Sequence, residues 1–307
     1  MTAFTAMRQA VEKKTIIPAF NIPYLPMVGP VVQAVRDENS VAMIQVARLE
    51  WVKFRSQSLE AVAEEFFKHH SPPHTLLHLD HVPAVDEDGL HVDYMPIIRR
   101  ALAAGYQSVM VDASRLSLDE NIAATQRVAE AAHAAGVAVE AELGAVVGHE
   151  AGGLGMSYDE LFLSKKGFTH PDEARRFAAE SGCDWLSIAA GSIHGAIAEN
   201  IRKQKKPQAR LDLDHIAALF HATGHMPLVL HGGTGIERSY ILGAVKNGVA
   251  KINVATDIRQ PYEAAMETRP GDTEHACEQV YQRTRSVLRD VLRVSGSRDI
   301  LFKTTES

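Results

Sequence analysis

Eight short apolar runs, each followed by a helical pattern, recur along the whole chain, and nothing else constrains its fold as tightly. They occupy residues 16–21 (IIPAFN), 41–47 (VAMIQVA), 75–81 (TLLHLDH), 108–113 (SVMVDA), 137–144 (VAVEAELG), 185–191 (WLSIAAG), 226–232 (MPLVLHG) and 250–256 (AKINVAT). Near-continuous apolar runs are what strands need in a parallel sheet covered on both faces. Eight of them alternating with helices predict an α/β fold, the (β/α)8 TIM barrel. Helical stretches such as 121–136 and 170–182 lie between them. The second has Thr169 as its expected N-cap, Pro171 in its first turn and Gly182 at its end. A single barrel domain over residues 1–307 is expected, with a C-terminal helical extension from about residue 258. That extension carries Val280, Val287, Val291 and Leu292 near helical spacing. It is longer than one barrel helix requires, and reads either as an oligomerisation arm or as an extra helix packed on its own barrel.

A net charge of −6 gives no electrostatic footprint for nucleic acid. No apolar run reaches the ~18 residues that signal a membrane span. The opening stretch, MTAFTAMRQAVEKK, reads as an amphipathic helix and not as a signal peptide. Cys183 and Cys277 form no spaced pair, so neither a disulfide framework nor a thiolate metal site is expected. A cytoplasmic setting follows as the expectation.

In such barrels the chemistry sits at the carboxyl-terminal strand ends. Here those ends carry Asn21, Gln45, Asp80, His81, Asp112, Glu142, His194, His231 and Asn253. A packing role alone would scatter polar residues along the strands. Imidazole nitrogens suit zinc, and a catalytic zinc keeps three protein ligands with one position open. His81, His194 and His231, on strands three, six and seven, are the candidate ligands. Asp80 either orients a ligand histidine or acts as a general acid or base. His78 shares strand parity with Asp80 and reads as barrel interior. Glu140 and Glu142 share one face of strand five, where burial without a metal, a cation or hydrogen-bond partners is costly.

Small-residue turns follow the later strands, at Gly191–Gly195 and at Gly232–Gly235. Glycines let backbone N–H groups approach an anion, and a helix N-terminus adds a favourable dipole. The loops after strands seven and eight are where (β/α)8 enzymes often hold phosphate.

These residues resemble the class II, metal-dependent ketose-bisphosphate aldolases, from PAFNI (18–22) to NVATDIR (253–259). HLDH, SVMVDAS, EAELG, IHG, LHGGTG and KINVATD occur in the family's order. The resemblance implies reversible cleavage of a ketose 1,6-bisphosphate, of the tagatose or fructose type, into dihydroxyacetone phosphate and an aldehyde. Within the family, 6-phospho-5-dehydro-2-deoxygluconate is the competing substrate. Outside it, a barrel metallohydrolase would use the same histidines to activate water. The resemblance implies Zn2+ on His81, His194 and His231, with Asp112 and Glu142 as an alternative metal position. It gives Asp80 the C4 hydroxyl proton, and Glu150 in GHEAGG the proton at the dihydroxyacetone phosphate carbon. Gly195, Gly232, Gly233, Thr234 and Thr256 would hold phosphate with a monovalent cation (Na+ or K+) nearby. Asn21, Gln45 and Asn253 would contact substrate, and Arg259 a distal phosphate. Ala47 and Ala255 stand where fructose-type members carry serine and aspartate. A homodimer or homotetramer is implied, with a phosphorylated sugar as the only partner.

Overall fold

The structure, a computed structural model, describes residues 2–144, 158–192, 209–233 and 235–302. Its strands are β1 (Ile17–Asn21), β2 (Ala42–Ala47), β3 (Thr75–Pro83), β4 (Ser108–Asp112), β5 (Ala138–Leu143), β6 (Trp185–Ile188), β7 (Leu228–Leu230) and β8 (Val249–Val254). They pair in parallel and in chain order, and β8 returns to β1 to close the barrel. The chain is therefore a TIM barrel, with its strands within a few residues of the eight runs. All residues of β1, β2, β5 and β8 are buried, which accounts for their largely apolar reading.

The floor is sealed by the helix Ala3–Glu12, which starts at the Thr2 cap. Its buried Ala3, Ala6, Met7 and Ala10 fall at i, i+3, i+4 and i+7, the stripe a helix offers to a core. That stripe joins Ile17, Ala19, Met43, Leu76, Ala138 and Val229 in one apolar cluster, closed from the other side by Leu301. Around the barrel, helices such as Leu118–Ala134 cover the outer faces of the strands. This one is fixed by a capping box in which Ser117 and Glu120 bond each other's backbone N–H.

One sequence expectation resolves differently from how it reads, and one open choice is decided. The helix Pro171–Glu180 is capped by His170, whose Nδ1 accepts from Asp172 N, and not by Thr169. Thr169 is buried, and its hydroxyl donates to Leu143 O while accepting from Ala189 N. It ties the end of β5 to the chain leaving β6, which uses its hydroxyl more fully than an exposed cap would. In the extension, Thr273–Ser286 packs on Thr256–Thr268 and on the helix Val28–Asp37, burying Ala276, Val280 and Thr284. Arg285 and Ser295 both bond Glu38 at 2.7 Å. The segment therefore lies on its own barrel.

Candidate active site at the barrel mouth

Side chains alternate along a strand, so Asp80 and His81 cannot both face the interior of a regular β3. The strand departs from regularity at this point. Leu79 pairs with Val109 and Val82 with Val111, so three steps on β3 match two on β4. This bulge carries His81 at a φ of +22°, a backbone setting that costs energy for a residue with a Cβ. Strain of this kind persists where a site needs it. Here it turns two consecutive polar side chains toward the same mouth.

Both oxygens of Asp80 are held. Asn21 Nδ2 donates to Oδ2 at 2.9 Å and Asn253 Nδ2 to Oδ1 at 3.1 Å. Gln45 Nε2 in turn donates to Asn21 Oδ1 at 2.8 Å. The three amides thus orient Asp80, a task their sequence positions did not disclose. Two amide oxygens, Gln45 Oε1 and Asn253 Oδ1, are buried with no hydrogen-bond partner among the described residues. Buried acceptors left so are costly in isolation, and a bound hydroxyl would satisfy them. Burial alone would raise the Asp80 carboxyl, but the charges of His81, Lys251 and His231 outweigh it and bring its pKa down to about 2. Asp80 is therefore a carboxylate, ready to accept a proton.

His81 and His231 converge with their ring centroids 4.5 Å apart. Ligand atoms of Asp80, His81 and His231 all lie within 4.8 Å of one another, and so do those of His81, Asp112 and Glu142. His81 Nδ1 is 3.3 Å from Asp112 Oδ2, and His231 Nδ1 is 2.9 Å from Glu142 Oε2. Asp112 is steadied by Ser114, whose N and Oγ donate to its Oδ1 at 3.1 and 2.6 Å. Burial disfavours a charged His81, yet the carboxylates of Asp80, Asp112 and Glu142 raise its pKa to about 10. A ring so surrounded by negative charge is a cation site waiting on either a proton or a metal. Five expected residues (Asp80, His81, His231, Asp112 and Glu142) are thus brought together, while His194, Glu150, Gly195 and Thr234 lie outside the described residues.

Below this layer lies a group that sequence reading largely missed. Lys251, fully buried, donates to Glu140 Oε2 at 2.8 Å and Oε1 at 3.1 Å. Trp185 Nε1 donates to Glu140 Oε2 at 2.6 Å, and His231 Nε2 lies 3.0 Å from Oε1. Burial opposes ionisation of Glu140, but Lys251 and the histidines overcome it and hold its pKa well below the usual carboxylate range. Through Glu140, Lys251 fixes the orientation of the His231 ring, the arrangement that metal-binding histidines commonly rely on. The signal was present: a lysine inside the apolar run AKINV, on the same parity as Asn253. His78 is interior as expected, its Nδ1 2.8 Å from Ser108 Oγ.

The phosphate candidates gather after β7 and β8. Gly232 has a φ of +70°, and a Cβ on Gly233 would stand 2.5 Å from Ile252 Cγ1, so neither position accepts a side chain without rearrangement. Thr256 begins the helix Thr256–Thr268, whose N-cap Ala255 brings no side-chain acceptor to the first N–H groups. Ile258 N donates to Ala255 O at 3.3 Å, and the helix dipole ahead of it favours an anion. Arg259, one turn on, is held through Nη1 by Glu263 at 2.9 and 3.0 Å, with its guanidinium 5.5 Å from the Phe54 ring centroid.

Comparison with known proteins agrees with this geometry. The family model for class II fructose-bisphosphate aldolases matches residues 2–299. The YdjI aldolase of Escherichia coli K12 is similar at 26% identity and a TM-score of 0.72, over 95% of this chain and 97% of that one. A Coccidioides immitis protein regarded as a fructose-1,6-bisphosphate aldolase is similar at 25% identity and a TM-score of 0.76, over 97% and 98% of the two chains. Fructose-bisphosphate aldolase of Campylobacter jejuni shares the fold, at 19% identity and a TM-score of 0.68, over 94% of each chain. No helix of the described residues is long and apolar enough to cross a membrane.

Proposed function

The chain belongs to the class II fructose-bisphosphate aldolase family and is an aldolase, a carbon–carbon lyase; we propose that it works with zinc on a ketose 1,6-bisphosphate of the tagatose or fructose type. The observation that carries this reading is the convergence of Asp80, His81 and His231, with both Asp80 oxygens held by amides. The residues fit a divalent cation. Glu142 Oε2 lies buried 2.9 Å from His231 Nδ1 and 4.0 Å from His81 Nε2, and the Asp112 carboxylate meets the other nitrogen of His81 at 3.3 Å, so two imidazoles and two carboxylates face one another. His81 and His231 would hold the metal with His194, and Asp112 and Glu142 would offer its alternative position. Zinc bound there supplies a Lewis acid for the negative charge that develops on substrate oxygens when the carbon–carbon bond breaks.

The chain's own residues do the rest. Asp80 takes the proton from the C4 hydroxyl in cleavage and returns it to the aldehyde oxygen in condensation. Asn21 and Asn253 keep the carboxylate aimed, while Gln45 Oε1 and Asn253 Oδ1 accept from substrate hydroxyls. Glu150 handles the proton at the dihydroxyacetone phosphate carbon. Gly195, Gly232, Gly233 and Thr234 would hold the phosphate of that half with Thr256, and a monovalent cation would help balance its charge. Arg259 meets the distal anion with the N–H groups that Glu263 does not use. Homo-oligomeric assembly and a cytoplasmic setting belong to the same reading.

The test combines zinc-loaded protein, dihydroxyacetone phosphate and a panel of phosphorylated and unphosphorylated aldehydes, with product mass as readout. A condensation product that vanishes with a chelator and returns with zinc is the expected result. Condensation indifferent to the chelator overturns the metal assignment. Phosphate release without a carbon–carbon bond would favour hydrolysis at the same histidines.

A further inference from the structure

The helix Arg48–Val52 springs directly from β2, and its Glu50 is buried, only 7% exposed. One carboxyl oxygen, Oε2, accepts from Ala47 N at 2.8 Å and lies 3.5 Å from Asn21 Nδ2. The same Asn21 Nδ2 donates to Asp80, so Glu50 and Asp80 share one amide from opposite sides. The second oxygen, Oε1, has no hydrogen-bond partner among the described residues. Ala47, whose N–H Glu50 accepts from, is the register partner of Asp80.

An N-capping bond to Ala47 is a sufficient reason for a glutamate at this position, but not for its burial. Capping glutamates work in water, where the carboxylate keeps its hydration. Here burial raises the Glu50 pKa to about 8; the Ala47 N–H restrains the rise and the Asp80 charge adds to it. The raised pKa favours the protonated carboxyl, which can donate as well as accept.

On the reading that Asp80 serves the C4 oxygen, we propose that Glu50 determines specificity for the aldehyde half, its carboxyl hydrogen-bonding the hydroxyl on the neighbouring carbon. Because Glu50 and Asp80 share Asn21, a substrate whose C4 oxygen meets Asp80 would bring a neighbouring hydroxyl toward Glu50. A site built to bond a hydroxyl discriminates strongly against the analogue that lacks it, because its own polar group is then left unpaired.

Condensation of dihydroxyacetone phosphate with each enantiomer of 2-hydroxypropanal, against propanal, isolates that hydroxyl. The wild type should prefer one hydroxyaldehyde in kcat/KM. Glu50→Leu should reduce the preference by about tenfold or more, whereas Glu50→Gln, which retains a donor, an acceptor and the cap, should keep most of it. Glu50→Ala serves if leucine prevents folding. A wild type without preference overturns the proposal, as does a preference that survives loss of the carboxyl in Leu or Ala. A purely capping role would slow both aldehydes alike and leave their ratio unchanged. Deuterium exchange into dihydroxyacetone phosphate without any aldehyde separates the two levels. No exchange in the wild type means the aldolase half-site is misread, while exchange with an unmoved ratio removes Glu50 alone.

Discussion

On the floor of the barrel stand Ala19, Met43, Leu76, Ala138 and Val229; two residues further along the same strands stand Asn21, Gln45, His78, Glu140 and His231. A two-residue step is about 7 Å along a strand and returns to the same face. Within that distance the interior passes from an alanine- and methionine-lined plug to a fully buried polar network. The floor is held by dispersion and by removal of apolar surface from water, and tolerates any residue of the right volume. The layer above must be matched group for group, because an unpaired charge at such depth is costly. On the mouth side of that layer the amide oxygens of Gln45 and Asn253 are left unmatched among the described residues, and a substrate can meet them there. Stability and chemistry are thus stacked along one axis.

Substitutions in the three layers should separate accordingly. The largest effect is expected in the middle, where Lys251→Met strands the Glu140 carboxylate. A loss of about 3–5 kcal/mol in urea unfolding is expected, together with weakened zinc binding through a misaligned His231. A variant as stable as wild type would show that Glu140 is satisfied without the lysine. Next comes Asp80→Asn, for which turnover should fall by roughly 10²–10⁴ while zinc content and melting temperature stay near wild type. Wild-type turnover would remove Asp80 from the proton step. At the floor, Met7→Ala should cost about 2–4 kcal/mol of stability and leave kcat/KM unchanged, since Met7 touches only the plug. A drop in kcat/KM there would mean that the floor and mouth are mechanically coupled.

The last effect is a slope. Burial raises the Glu50 pKa from its ordinary 4.5 to about 8, so between those values the folded protein holds a proton the unfolded chain has released. That contribution is unfavourable to folding and grows as pH rises through the window. Glu50→Gln should therefore gain stability relative to wild type as pH rises from about 4.5 to 8, and gain no more above it. Parallel stability curves for the two proteins would mean that Glu50 is ionised throughout.

What could be read before the fold differed from layer to layer. His231 and Asn253 were visible because a polar residue ending an apolar run stands out against the run. Glu142 and Glu140 were visible as a pair, but their separate fates were not: one faces the histidines, the other is held by Lys251 and Trp185. Glu50 was hidden because RLEWVKF has no strand or long-helix periodicity to place it against, and only the five-residue helix turns it inward. Thr169 was misread for a related reason. Its sequence neighbours offer a helix to cap, while its true partners, Leu143 and Ala189, lie 26 and 20 residues away.

The sequence by itself determined the eight-stranded barrel and the end of it where His81, His231 and their neighbouring carboxylates gather, because these depend on periodicity and residue type along the chain. Tertiary structure alone decided that Asp80 and His81 face the same way, that Lys251 answers Glu140 and that Asn21 joins Asp80 to Glu50. A bulge appears only when two strands are compared in register, and a buried charge reveals its partner only when strands far apart in the chain close around it.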